Sequence, residues 1–149
     1  MKAAVIALIS AAVLLIVSQT RAQRPAVDTS KKSALVYEEI AKAPEKARTK
    51  HNPLENDRDA AAAGKMLFEQ HCAECHGQAA RGGKKAPSLR VPEIQDATAG
   101  AIFWVLTNGV VRRGMPVWSK LPEPQRWQIV SYLKSLGASA PQETRAIAP

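Results

Sequence analysis

The sequence predicts an all-α domain, and three observations lead there. Three stretches of the 149 residues repeat apolar side chains at i, i+3 and i+4, which is one face of a helix. No stretch alternates apolar and polar residues as a half-buried strand does. Between the first two helical stretches lies a long run of Gly, Lys and Pro with no period at all. A chain of this length, 46% hydrophobic, holds one small core plus appendages.

The first helix is expected over residues 59–71, with Asp57 or Asp59 as N-cap. Gly64, Leu67, Phe68 and His71 share one of its faces. A mid-helix glycine costs up to ~1 kcal/mol relative to alanine, so close approach by another helix is its expected reason. Met66 is expected to fill core space on the same helix. Residues 77–96 read as loop, marked by Gly77, Gly82, Gly83, Pro87 and Pro92. The second helix spans 98–108, with Ile102, Val105 and Leu106 as its stripe and Gly109 as its stop. The third spans 123–136, with Ile129, Tyr132, Leu133 and Leu136 inward. Pro122 and Pro124 are tolerated at its start, where N–H groups lack partners anyway. Lys134 and Gly137 supply its C-terminal signals.

These helices set a compact domain at 57–137, followed by a tail at 138–149 that reads as disordered. Residues 23–56 read as a charged linker containing one short amphipathic helix around 34–41, ended before Pro44. His51 in this stretch reads as a solvated side chain. Residues 1–22 follow the pattern of a secretory signal peptide. Lys2 precedes an apolar run at 3–17, and Thr20-Arg21-Ala22 offers small residues for cleavage after Ala22. The run is shorter than the ~20 residues that span a bilayer comfortably. Positive charge after it, from Arg21, Arg24, Lys31 and Lys32, favours retention, so residues 3–17 are alternatively an uncleaved membrane tether. Either way the rest of the chain is expected outside the cytoplasm, in a periplasmic or equivalent compartment. Loss of 1–22 removes two basic residues and lowers the formal charge from +8 to +6. Nucleic acid is an unsuitable partner in that compartment, and an acidic face on another protein suits the charge better.

The chemistry lies in Cys72-Ala73-Glu74-Cys75-His76. C-x-x-C-H is the pattern of covalent haem c attachment: two thiols form thioethers with one haem, and the histidine that follows reaches the iron. A thiol redox pair is one rival, although no βαβ pattern surrounds it. Zinc is another, since His71, Cys72, Cys75 and His76 fall within six residues. Zinc sites, however, join separated pairs, and this cluster would close almost no chain. A plain disulfide between the two cysteines is the third.

With His76 on one face of the iron, the other face needs a donor. Met115, in Arg113-Gly114-Met115-Pro116, is 39 residues further on. Glycine before and proline after it suggest a fixed, irregular backbone that aims one side chain. A thioether donor raises the reduction potential and closes the iron to small ligands. The expected function is therefore one-electron transfer, with no catalytic residues. The alternative is a haem whose sixth ligand is labile, acting as a small-ligand sensor or an enzyme subunit.

Further segments extend the motif: Gly64-Lys65-Met66-Leu67-Phe68, Ala86-Pro87-Ser88-Leu89, Thr107-Asn108-Gly109, Gly114-Met115-Pro116 and Trp127-Gln128-Ile129-Val130-Ser131-Tyr132-Leu133. Together with Cys72–His76 they resemble the small mono-haem class I c-type cytochromes over about residues 57–137. The resemblance implies a cytochrome c fold, with three main helices and loops wrapped around one covalent haem c. It implies that Gly64 and Phe68 cross the last helix against Tyr132. It implies that the Pro87 carbonyl accepts a hydrogen bond from His76, and that Met115 is the sixth ligand. Trp104, Trp118 and Trp127 are expected to pack the core or the haem pocket. Pro122 and Pro124 depart from the family's usual start to the last helix. The implied partner is a dehydrogenase or terminal oxidase with an acidic docking face, steered by Arg81, Lys84, Lys85, Arg112, Arg113 and Lys120.

Overall fold

The pairing of Gly64 with Phe68 decides how the two longest core helices meet. A computed structural model of the chain describes residues 27–138. The expected signal segment and the expected tail lie outside the described residues, apart from Ala138. The chain divides into Met1–Ser30 and Lys31–Pro149, and the helical core belongs to the second unit.

Helix α1 is Val27–Ala41, α2 is Glu45–Arg48, α3 is Arg58–His71 and α4 is Ala73–His76. They are followed by α5 (Pro92–Gln95), α6 (Ala99–Asn108) and α7 (Glu123–Ala138). The described residues contain no strand, only one isolated antiparallel bridge between Val110 and Met115.

Asp57 starts α3, its carboxylate accepting from the Asp59 and Ala60 amides at 2.9 and 3.2 Å. Such a cap satisfies donors that the first helical turn leaves unpaired. The helix then packs lengthwise on α7. A Cβ on Gly64 would lie 1.8 Å from the Gln128 carbonyl oxygen, so only glycine fits at the crossing. One turn on, Phe68 is fully buried and meets Tyr132 with ring centroids 5.3 Å apart, tilted by 54°. This tilted arrangement is a favoured one for aromatic pairs. Met66 points away and is 60% exposed. Its expected core role fails because two residues, about 200° of helix, separate it from Gly64.

Thr98 caps α6 through its hydroxyl, which accepts from the Ala101 amide at 3.2 Å. Gly109 ends that helix at φ 67°, in the left-handed region. Phe103 of α6 stacks on Trp127 of α7 at 3.9 Å, and the Arg126 guanidinium covers the Phe103 ring. The first turn of α7 accommodates both prolines, with the Arg126 amide donating to the Pro122 carbonyl at 3.1 Å. Lys134 turns back to donate to the Gln95 and Ala97 carbonyls. Gln95 in turn donates to the carbonyls of Leu89 and Leu133, tying the long loop to α7. The expected structureless loop thus carries α5, whose Ile94 is buried.

The stretch expected to be a linker is packed. Val36 of α1 and Ala43 are buried, and the α2 region lies so close to α6 that Gly100 faces the Ala47 carbonyl directly. Buried Asn52 donates to the Ser131 hydroxyl of α7 at 2.8 Å. The expected helix at 34–41 is present but begins earlier, at Val27. A long-range bond such as Asn52 to Ser131 leaves no periodic trace, so polar composition concealed the packing.

Gly64→Ala is expected to cost about 1–3 kcal/mol, since overpacking outweighs the gain in helix propensity. Thermal unfolding should show a fall of roughly 4–8 °C per kcal/mol for a domain of this size. Gly83→Ala, whose Cβ would have only one contact, 3.8 Å from the Cys75 carbonyl, should leave the midpoint nearly unchanged. Equal midpoints for both variants would contradict the crossing described above.

Candidate haem site

The end of α3 delivers the C-x-x-C-H residues as a further helical turn. The Cys72 amide still bonds to the Phe68 carbonyl at 2.8 Å, so the motif is anchored to the best-buried ring in the core. The His76 amide donates to the Cys72 carbonyl at 2.9 Å, which closes α4. Gly77, at φ 73°, then releases the chain into the loop.

That loop returns Pro87 to the histidine. His76 Nδ1 lies 3.0 Å from the Pro87 carbonyl oxygen. A carbonyl only accepts, so Nδ1 carries the proton and the lone pair of the neutral ring sits on Nε2. Burial lowers the His76 pKa, with the Pro87 bond opposing, and the ring favours the neutral form that a metal needs.

Met115 is fixed by its backbone. Its amide and carbonyl pair with those of Val110 at 3.2 and 3.0 Å, around a tight turn at Val111–Arg113. Gly109 completes the loop, since a Cβ there would lie 2.5 Å from the Pro116 carbonyl oxygen.

Cys72, Cys75, His76, Pro87 and Met115 all line one cavity of about 560 Å³, within the usual range for cofactor pockets. Phe68, Ile102, Leu106, Ile129 and Leu133 supply apolar walls. Trp118 lines it too and meets the exposed His71 ring at 5.4 Å, whereas Trp127 packs against Phe103. Two thiols, one half-buried imidazole whose Nε2 carries the lone pair, one thioether and a mostly apolar lining fit a haem. They fit the rivals less well. Burial, with a smaller contribution from Cys75, raises the Cys72 thiol to about 11, the reverse of what a reactive dithiol requires. Among the described residues no three His, Cys, Asp or Glu side chains cluster to hold a bare metal ion, and both cysteines are free thiols.

Sequence reasoning missed one wall of the cavity. Helix α1 contributes Leu35, Val36, Glu39 and Ile40. Glu39 accepts from Arg112 at 2.5 Å and from Arg113 Nε at 3.2 Å, and Glu38 pairs with Arg113 at 2.9 Å. Lys85 likewise pairs with Glu74 at 2.7 Å. Three of the six basic residues expected to steer a partner are therefore matched by carboxylates of the same chain. Only the short apolar run before Glu38-Glu39 hinted at this, because the paired groups lie more than 70 positions apart.

The family model for cytochrome c oxidase, cbb3-type, subunit III matches residues 59–133, half of the chain. A protein named cbb3-type cytochrome c oxidase subunit CcoP, from Rubrivivax gelatinosus, is 32% identical over 95 residues, covering 62% of this chain and 31% of its own. Cytochrome c550 from Pseudomonas aeruginosa is 34% identical over 77 residues, covering 49% of this chain and 53% of its own. The chain thus spans about a third and about half of these relatives. The crystal structure of cytochrome cL from Methylophaga aminisulfidivorans superposes with a TM-score of 0.51 at 26% identity, covering 58% of this chain and 59% of that one. Fold and site together define a small c-type cytochrome domain with an all-α cytochrome c fold. The chain belongs to the cytochrome c family of the cbb3-type subunit III model, and covalent haem c is the cofactor of its class.

Burial alone would raise the Glu39 pKa, but hydrogen bonds from Lys42, Arg112 and Arg113 outweigh it and hold the group at about 2 rather than 4.5. A lowered carboxylate pKa stabilises the folded form above the ordinary value and loses that contribution as pH falls through the lowered one. The seating of α1 is therefore expected to be constant above pH 4.5 and to weaken between there and about 2. Amide hydrogen exchange across residues 34–41 should report this, and Glu39→Gln should flatten the dependence.

Proposed function

We propose that this chain carries single electrons on one haem c, held through thioethers at Cys72 and Cys75 and ligated by His76 and Met115. The observation that carries this reading is the convergence of the four side chains on one apolar cavity, with the His76 ring oriented by Pro87. When bound, the haem supplies a reversible iron(II)/iron(III) couple. The protein does the rest. Pro87 holds the imidazole with Nε2 unprotonated and adds to its basicity. Met115 offers a soft sulfur that favours the reduced state and leaves no vacant position for oxygen or peroxide. The apolar walls would lower the polarity around a bound haem, which disfavours the more highly charged oxidised state. No general acid, base or nucleophile is required, and a carrier role follows.

The setting is read from the relatives. One of them is named as a subunit of a cbb3-type oxidase, and this chain is proposed to exchange electrons with a membrane oxidase or an exported dehydrogenase. Among the described residues no helix is long and apolar enough to cross a membrane. The extracytoplasmic location rests on the N-terminal sequence and on covalent haem attachment.

Expression in a host able to attach haem should give a haem stain that survives denaturing electrophoresis. The double variant Cys72→Ser with Cys75→Ser should abolish it. Met115→Ala should keep the stain but lose the long-wavelength sulfur-to-iron(III) absorption band and let the reduced protein bind carbon monoxide. Its potential should fall by about a tenth or more of the ~0.8 V over which axial ligands set haem potentials. A native protein without that band, already binding carbon monoxide rapidly, would instead support the labile-ligand alternative.

A further inference from the structure

Helix α1 forms one wall of the cavity. Its Leu35, Val36 and Ile40 close over the cavity that Met115 lines, and its two glutamates take both arginines of the adjoining turn. Two adjacent acids matched to two adjacent bases, beside an apolar contact, is the chemistry of a protein–protein docking face. Yet the apolar hold on α1 is slight, and polar pairs do most of the holding. Of its described side chains only Val36 is buried, and α1 packs lengthwise along none of the core helices, unlike α3 on α7. Arg112 and Glu38 remain 61% and 58% exposed, and surface pairs of that kind are individually weak, whereas Glu39, 14% exposed, is the main polar anchor of the helix. The turn beneath carries Val111, 68% exposed, and Val117 lies just beyond Met115 at 48%.

We propose that α1 is an intramolecular stand-in for an acidic partner: it occupies the Arg112–Arg113 face beside Met115, and a redox protein presenting an acidic segment docks there by displacing it. The inference rests on the carrier reading, because that reading makes the Met115 side of the cavity a route for electrons. With α1 seated, the arginine charges are matched within the chain and long-range attraction of an acidic partner is weak. With α1 released, the same arginines and the apolar residues around them face solvent together, and encounter is steered. Displacement exchanges one set of carboxylates for another, so the arginines end as they began, paired.

The test uses the full-length haem protein and the double variant Glu38→Gln with Glu39→Gln. In stopped flow, the reduced protein passes one electron to hexacyanoferrate(III), a small trianion that leaves as hexacyanoferrate(II). Freed arginines should raise the rate at low ionic strength on the order of tenfold, with the gain disappearing at high salt. Glu55→Gln with Glu69→Gln removes the same charge away from the cavity and should give a much smaller gain. Hydrogen exchange at residues 34–41 should be faster in the first variant, and faster in the wild-type chain when poly-L-glutamate is added at low salt. An equal gain in both variants, or exchange at α1 that neither change alters, would overturn the proposal. The exchange readout needs no electron transfer, so it stands even if the carrier reading fails, and loss of the haem stain identifies that separate failure.

Discussion

The contact between Gly64 and the Gln128 carbonyl fixes the distance between α3 and α7, and the candidate haem site is built outward from it. With no side chain between the backbones, Phe68 reaches Tyr132 one turn further on. Cys72 is bonded through its amide to Phe68, and His76 through its amide to Cys72. The position of the imidazole is thus set by a chain of local hydrogen bonds that starts at a helix crossing. A larger residue at position 64 would displace the whole series, because packed interiors transmit strain rather than absorb it.

The other half of the cavity is secured by different means. Pro87 and Met115 lie on loops, where no helical ladder holds the backbone. Gln95 and Lys134 tie the loop preceding α6 to α7, and the Val110–Met115 bridge locks the loop following it. Both loops are pinned by polar contacts to carbonyls, while Pro87, Leu89, Val110 and Met115 from these loops face the cavity beside Lys85 and Arg113. A mostly apolar pocket backed by a hydrogen-bonded outer layer is an environment that changes little when charge inside it changes.

Much of this was legible in the sequence because it is local. The i, i+3, i+4 stripes and the Thr98 and Gly109 boundaries depend on neighbours in the chain, and the structure has helices there, although His71 of the first stripe is exposed; C-A-E-C-H is equally local and folds as one helical turn. Met66 was misread because being apolar on a helix does not say which face a residue occupies. The segment before Asp57 was misread for another reason. Its contacts, Asn52 with Ser131 and Glu38 and Glu39 with Arg113 and Arg112, join residues more than 70 positions apart through polar groups. Hydrophobic periodicity carries no information about such pairs, and a composition rich in Lys and Glu looks the same whether its charges meet solvent or each other. The carboxylate pairing of Arg112 and Arg113 recasts what a row of basic residues means here.

The Asn52–Ser131 bond has a consequence for where this domain can be said to begin. Ser131 lies on the inward side of α7, a helix that every definition of the core includes, and its hydroxyl is kept from water by residues that precede the first core helix. Gly100 on α6 is bare for the same reason, shaped to receive the backbone at Ala47 and Lys50. A fragment starting at Asp57 would keep the haem motif and every core helix, yet it would carry the imprint of the missing arm: an uncovered hydroxyl, a flexible glycine in a helix, and a groove with nothing to fill it. The unit whose surfaces are all covered is therefore longer than residues 59–133, the stretch that the family model matches.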